Sequence, residues 1–251
     1  MKKIVGIIPA RFGSTRFPGK PLVKIFGREM ILHVVDRAEQ CGVLHEVIVA
    51  TDDQRIFEVV ENAGKKVVMT STEHPSGTDR CLEAFSKACP DADAIINIQG
   101  DEPFVKPEQI QALAELIQKN DVDIASLCVA ISDTSWLADP NKVKVVMNDR
   151  GKALYFSRQA IPFVRSAPQE EWLSHHPYFK HLGLYAYKSS ILKSISQLEI
   201  SSLERAESLE QLRWLQAGYS IYLSITLWET PAIDTPEDLQ AVIDQNSASF
   251  E

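Results

Sequence analysis

The chain has 251 residues, 45% of them hydrophobic, enough to bury a sizeable core as one large domain or as a domain with an insertion. Its 26 Lys and Arg against 34 Asp and Glu leave a formal charge of −8, which argues against nucleic acid or a membrane surface as the primary partner. No apolar run approaches the ~20 residues of a spanning helix, and Met1-Lys2-Lys3 leads straight into a strand-like run rather than a signal peptide, so a cytoplasmic location is expected.

Ile4 to Ile8 are apolar β-formers that end at Pro9, where the pattern changes to a glycine-punctuated loop carrying Arg11, Arg16 and Lys20. This predicts a buried strand delivering a phosphate-binding loop. The Walker pattern is excluded, because Gly13 and Gly19-Lys20 enclose five residues and are followed by Pro21. No G-x-G-x-x-G follows the strand either, which excludes the dinucleotide fingerprint. A basic loop can also be no more than a solvated turn. Residues 1–30, however, hold seven Lys or Arg and one Glu, a local +6 in a chain of −8, so the other residues carry −14. Such concentration favours an anionic ligand met by the Gly13 and Gly19 bends, Ser14, Thr15 and the cations.

Ile31, Leu32, Val34, Val35 and Ala38 then recur at helical spacing, with Gly42 as a stop. A strand is expected at Glu46–Ala50 and a cap at Thr51-Asp52-Asp53. A helix through Ile56, Val59 and Val60 should end at Gly64, before a short strand at Val67–Met69. The alternation predicts a mostly parallel twisted sheet with helices on both faces and the site at the carboxyl ends of its strands. Ser76-Gly77-Thr78-Asp79-Arg80 opens another helix. It reads either as a capped helix start or as a backbone and guanidinium donor set for a base or phosphate.

The strand Ala94–Ile98 runs into Gln99-Gly100-Asp101-Glu102-Pro103, a placement that presents a carboxylate to solvent or to Mg²⁺ beside phosphates. Pro107 starts a helix through Ile110, Leu113, Leu116 and Ile117, and Asp123–Ile131 returns as a strand. From about residue 132 to 200 the pattern loosens. Strands at Lys142–Met147 and Ala153–Phe156 flank the turn at Asp149-Arg150-Gly151, and an antiparallel excursion from the sheet is expected. Leu209-Glu210-Gln211-Leu212-Arg213 reads as an amphipathic helix with Glu210 and Trp214 on one face. In Asp234-Thr235-Pro236-Glu237-Asp238, Thr235 and Asp238 have capping duties, whereas Asp234 has none. Gln240 to Glu251 read as a helix fading into a polar tail. Cys41, Cys81, Cys89 and Cys128 lack metal or disulfide spacing and read as packing thiols, and the six His indicate no metal site.

Six ordered segments between Ile4 and Leu239 carry a family resemblance: PARFGSTRFPGKPL, SGTDR, QGDEP, YFSR with HLGLYAY, LEQLR and IDTPEDL. In these the chain resembles the 3-deoxy-manno-octulosonate (Kdo) cytidylyltransferases, the CMP-Kdo synthetases. The resemblance implies a single nucleotidyltransferase, GT-A-like domain over residues 1–251. Its activity would be CMP transfer from CTP to Kdo with release of pyrophosphate, for lipopolysaccharide biosynthesis. It implies Ala10, Arg11, Ser14, Lys20, Ser76, Gly77, Arg80 and Gln99 at the nucleotide, and Asp101 and Asp234 as ligands of Mg²⁺. Arg11, Lys20, Asp101 and Asp234 would be catalytic, and Arg158, His181, Tyr185, Glu210 and Gln211 would face the sugar. The excursion would cover the sugar site and make a homodimer contact. A CMP-sialate synthetase would want a G-S-K-G-type loop in place of Gly13 to Pro21, and a glycosyltransferase an Asp-x-Asp at a strand end. Asp91-x-Asp93 and Asp121-x-Asp123 both precede strands. A silent nucleotide-binding protein should have lost Lys20, Asp101 or Asp234, and all three are present. An 8-amino analogue of Kdo would fit the same motifs.

Overall fold

The computed structural model describes residues 2–13 and 17–246. The chain forms two compact units, one made of the stretch up to Ala114 together with that from Thr230, the other of Glu115–Glu229.

In the first unit β1 (Ile4–Ala10) lies in the middle, with its first five residues all buried. After the hairpin β2 (Lys24–Ile25) and β3 (Arg28–Glu29) comes α1 (Met30–Glu39), which buries the expected Ile31, Leu32, Val34, Val35 and Ala38. β4 (Glu46–Thr51) pairs parallel with β1, and β5 (Lys66–Met69) extends the sheet beyond it. Between them runs α2 (Gln54–Asn62), with Asp53 as its N-cap accepting from the Arg55 amide. α3 (Gly77–Ala88) is capped by Ser76, and β6 (Ala94–Asn97) pairs parallel with the other side of β1. α4 (Pro107–Ile117) follows. Because β1, β4, β5 and β6 are parallel, their carboxyl ends bring the loops after Ala10, Thr51, Met69 and Asn97 to one edge of the sheet.

β1 runs on through Pro9 instead of ending there. Its pairing with β6 stops at Ile7, and beyond that point only β4 is a neighbour, so the missing proline N–H removes no bond from the other side.

The second unit is built on β7 (Ile124–Ala130), of which all but Ala130 is buried. After the single turn α5 (Ser135–Ala138) come β8 (Lys144–Met147) and β9 (Ala153–Ser157), an antiparallel pair. The strand begins at Lys144 rather than Lys142 because Asp139 first turns the chain, accepting from the amides of Asn141 and Lys142. A short α6 (Trp172–His175) precedes β10 (Phe179–Lys188), which pairs antiparallel with β7 and β8. α7 (Ser189–Ile195), α8 (Ser202–Glu207) and α9 (Gln211–Gln216) lead to β11 (Ile221–Thr226), parallel to β7. The antiparallel excursion thus falls inside this unit. The chain then re-enters the first unit, where α10 (Pro236–Asn246) persists through most of the expected tail. The four cysteines are buried thiols.

Candidate active site

Gly19 makes the loop after β1 possible. Its φ of 72° is left-handed, its amide donates to the Phe12 carbonyl at 3.0 Å, and a Cβ there would stand 3.0 Å from the Phe12 ring. The Arg55 guanidinium covers that ring, 3.3 Å from its centroid. The turn Lys20–Leu22 follows directly, with Pro21 buried, so the backbone under Lys20 is anchored.

The loop after β6 is anchored in the same way. A Cβ on Gly100 would lie 2.8 Å from the Pro9 carbonyl oxygen, so only glycine lets this loop lie against the end of β1. Asp101 follows, and its carbonyl accepts from the Ile233 amide at 2.9 Å. Ile233 is fully buried in a cluster with Ile25, Met30 and Val242, against which Phe17, Phe26, Phe104 and Leu239 pack. Burying such a side chain is worth about 2 kcal/mol, and it holds the segment beside Asp101. Asp238 Oδ2 then accepts from the amides of Asp234 and Thr235 at 3.0 and 2.9 Å, while the Asp238 amide donates to Thr235 Oγ1 at 3.2 Å. This is the reciprocal capping read from the sequence, and it leaves the Asp234 carboxylate outside the cap.

Lys20 closes the arrangement. Its ammonium donates to Asp101 Oδ2 at 2.8 Å and to Asp234 Oδ1 at 3.1 Å, with the lysine side chain 12% exposed. The three groups line a cavity of about 300 Å³. Ala10, Arg11, Ser76, Gly77, Arg80 and Gln99 also line it, so every described residue expected at the nucleotide is brought to one place. Ser14, with Thr15 and Arg16, lies outside the described residues.

Arg80 is 3% exposed and already bonded. One terminal nitrogen donates to Thr70 Oγ1 at 2.5 Å and the Ser71 carbonyl at 3.2 Å, the other to Asp52 at 2.6 Å. It therefore ties the loops after β4 and β5 to α3. His74 and Pro75, which stand outside the sequence motifs, also line the cavity. His74 Nε2 bonds Glu83, whose carboxyl lies at about 2: Lys87, the Ser71 amide and His74 together outweigh the upward push of burial. Lying immediately before the Ser-Gly motif was the available signal for both.

The sugar candidates all lie in the second unit. β10 bulges against β7 between Leu182 and Tyr185, and Ser126 fills the irregularity, 2.9 Å from His181 Nε2 and donating to the Leu184 carbonyl at 2.9 Å. Burial, with a smaller push from Lys180, lowers the His181 pKa to about 3, so its imidazole is neutral. Tyr185 lies 5.3 Å from that ring and 5.1 Å from Trp214 by ring centroids. Its hydroxyl is buried without a hydrogen-bond partner among the described residues. Burial and then the nearby Glu210 raise its pKa. Glu210 stands at the cap position of α9, and Gln211 is buried in its first turn. Arg158 is placed differently. Its Nε and two terminal nitrogens donate to the carbonyls of Glu207, Pro140 and Ser208 at 2.7, 2.9 and 3.2 Å.

A family model described as Cytidylyltransferase matches residues 5–222. The chain belongs to the cytidylyltransferase family. A 3-deoxy-manno-octulosonate cytidylyltransferase from Cytophaga hutchinsonii is 54% identical over 97% of this chain and 98% of its own length. An 8-amino-3,8-dideoxy-manno-octulosonate cytidylyltransferase from Shewanella halifaxensis is 45% identical over 93% and 94%. Among solved structures, a CMP:2-keto-3-deoxy-manno-octonic acid synthetase complexed with CTP is 43% identical, with a TM-score of 0.92 over 99% of this chain and 100% of that one. Membership in this cytidylyltransferase family makes the chain a nucleotidyltransferase, and no helix among the described residues is long and apolar enough to cross a membrane.

Proposed function

We propose that the chain activates 3-deoxy-manno-octulosonate, transferring CMP from CTP to its anomeric C2 hydroxyl for lipopolysaccharide biosynthesis in the cytoplasm. A bond forms between the C2 oxygen and the α-phosphorus, the bond to the pyrophosphate oxygen breaks, and the hydroxyl proton passes to water. The observation that carries this reading is the convergence of Lys20, Asp101 and Asp234 on the lining of one cavity. The name of the 54% identical relative, a 3-deoxy-manno-octulosonate cytidylyltransferase, supports it.

Arg11 and Lys20 would neutralise the triphosphate and the charge that grows on the equatorial oxygens. Asp101 and Asp234 fit Mg²⁺: they are hard carboxylate oxygens on two anchored loops, close enough that one ammonium bonds both. When bound, the ion would supply further charge neutralisation on the phosphates. Ser76, Gly77 and Gln99 would receive the nucleoside, and Arg80 holds the loops that shape its pocket. His181, Tyr185, Glu210 and Gln211 would meet the sugar, with Arg158 organising the backbone around them. Both units serve one cytidylyltransferase domain in this reading.

The chain is proposed to act as a homodimer through the second unit. Leu154, Phe163, Ile225, Leu227 and Trp228 all expose large apolar side chains there, Leu227 at 91%. Sedimentation of Leu227→Glu is expected to show monomer, and an unchanged dimer would remove Leu227 from the contact.

Pyrophosphate release with CTP and Mg²⁺ tests the activity across Kdo, its 8-amino analogue, N-acetylneuraminate and a sugar 1-phosphate. Release with Kdo alone is expected. The 45% identical relative favours the 8-amino acid as a second reading, and release with that acceptor alone would select it. No release with any acceptor would overturn the enzyme reading.

A further inference from the structure

We infer that Lys20 is a built-in counter-ion that reserves the divalent-cation seat until a triphosphate arrives, so that metal enters with or after the nucleotide and not before it. This rests on the metal assignment proposed above for Asp101 and Asp234. Lys20 donates to one oxygen of each carboxylate, at 2.8 and 3.1 Å. An ammonium there competes for the same lone pairs that a dication would need and repels it. The two carboxylates assigned to the ion are both bonded to Lys20.

The anchoring around Lys20 makes exchange feasible. Its backbone is fixed by Gly19 and the Lys20–Leu22 turn, while four side-chain torsions remain to swing the ammonium between partners. A triphosphate in the cavity offers Lys20 more negative charge than two carboxylates do. As the ammonium moves onto phosphate, the two aspartates are released together. Lys20 then has two successive duties, first masking the metal seat and afterwards neutralising the substrate.

Mn²⁺ titration followed by the electron paramagnetic resonance of the free ion tests this in the complete chain without nucleotide. Lys20→Met should bind Mn²⁺ about tenfold or more tighter than wild type, since two partly exposed ion pairs no longer oppose the ion. Lys20→Arg should stay near wild type. Arg11→Met removes a neighbouring cavity cation that is not bonded to the aspartates, and should gain less than about threefold. The gain must disappear in Lys20→Met combined with Asp101→Asn. Equal Mn²⁺ affinity in wild type and Lys20→Met, or an equal gain from Arg11→Met, would overturn the inference. Lys20→Gln repeats the test if the methionine variant melts early. A separate arm measures CTP binding to wild type without metal. Failure there overturns the nucleotide assignment, while the nucleotide-free Mn²⁺ comparison still decides the role of Lys20.

Discussion

Lys20 and Lys144 place the same ammonium in opposite settings, one in each unit. Lys20 bonds two carboxylates on the lining of a cavity. Lys144 is fully buried and donates to two backbone carbonyls, those of Asp139 at 2.8 Å and Arg158 at 2.6 Å. Burial lowers its pKa, against the pull of Asp139 and Glu207. The arginines divide differently: Arg158 donates through its side chain to three carbonyls, and Arg80 to a carboxylate, a hydroxyl and a carbonyl. A cation held by carboxylates beside open volume can trade them for phosphate. One held by main-chain carbonyls inside the protein cannot, because each abandoned carbonyl would be left buried and unsatisfied. On the proposed function, the first kind serves chemistry, while the second holds the backbone in shape.

That division is most severely tested at Asp101. Asp101→Asn keeps the shape but removes a charge from the site, and pyrophosphate release should fall by on the order of a hundredfold. Normal turnover would remove Asp101 from the chemistry. Lys144→Met should do the reverse, costing about 2 kcal/mol in urea-unfolding stability as two carbonyls lose their donor. A methionine variant as stable as wild type would show that the buried ammonium is dispensable to the backbone around it.

His181 yields a pH prediction of definite sign. Its imidazole stays neutral in the fold down to about 3, whereas in the unfolded chain it takes a proton near pH 6.5. Between those values the unfolded state binds more protons, so the His181 contribution is complete above about pH 6.5 and is lost as pH falls, by about 1.4 kcal/mol per unit once well below it. Subtracting the profile of His181→Gln isolates this slope from that of the carboxylates, and parallel profiles between about pH 6.5 and 5 would refute it. The smallest effect is expected at Tyr185, whose hydroxyl has no partner to lose among the described residues. Tyr185→Phe should raise stability by about 1 kcal/mol, since it removes a buried hydroxyl that lacks a partner. If the phenol meets the sugar, the same variant should raise the KM for Kdo and leave that for CTP unchanged.

Residue pattern alone was enough for much of this protein. The strands at Ile4, Glu46 and Ala94, the caps at Asp53 and Ser76, and the Thr235–Asp238 pair all follow from local rules: apolar period, glycine and proline placement, and side chains that reach amides two or three residues away. Once a parallel sheet is predicted, the carboxyl-end rule also collects Lys20, Ser76 and Asp101 at one edge. β11 carries alternating Ile221, Leu223 and Ile225, but six residues after a helical turn leave too little pattern to predict a strand.

Partnership over long sequence separation was decided only by the tertiary structure. The resemblance implies Arg80 at the nucleotide and Arg158 at the sugar, and the fold supplies each with fixed acceptors from distant loops. Lys144 read as an ordinary strand residue and became a buried ammonium. Local pattern marked Asp234 as an acid without a capping duty and the resemblance implied a metal ligand, but it is the packing of Ile233 and its amide bond to Asp101 that bring the two carboxylates onto Lys20. Periodicity reports which face of an element is buried, but the partner of a polar atom depends on where the other elements place their loops, and that depends on the folded chain as a whole.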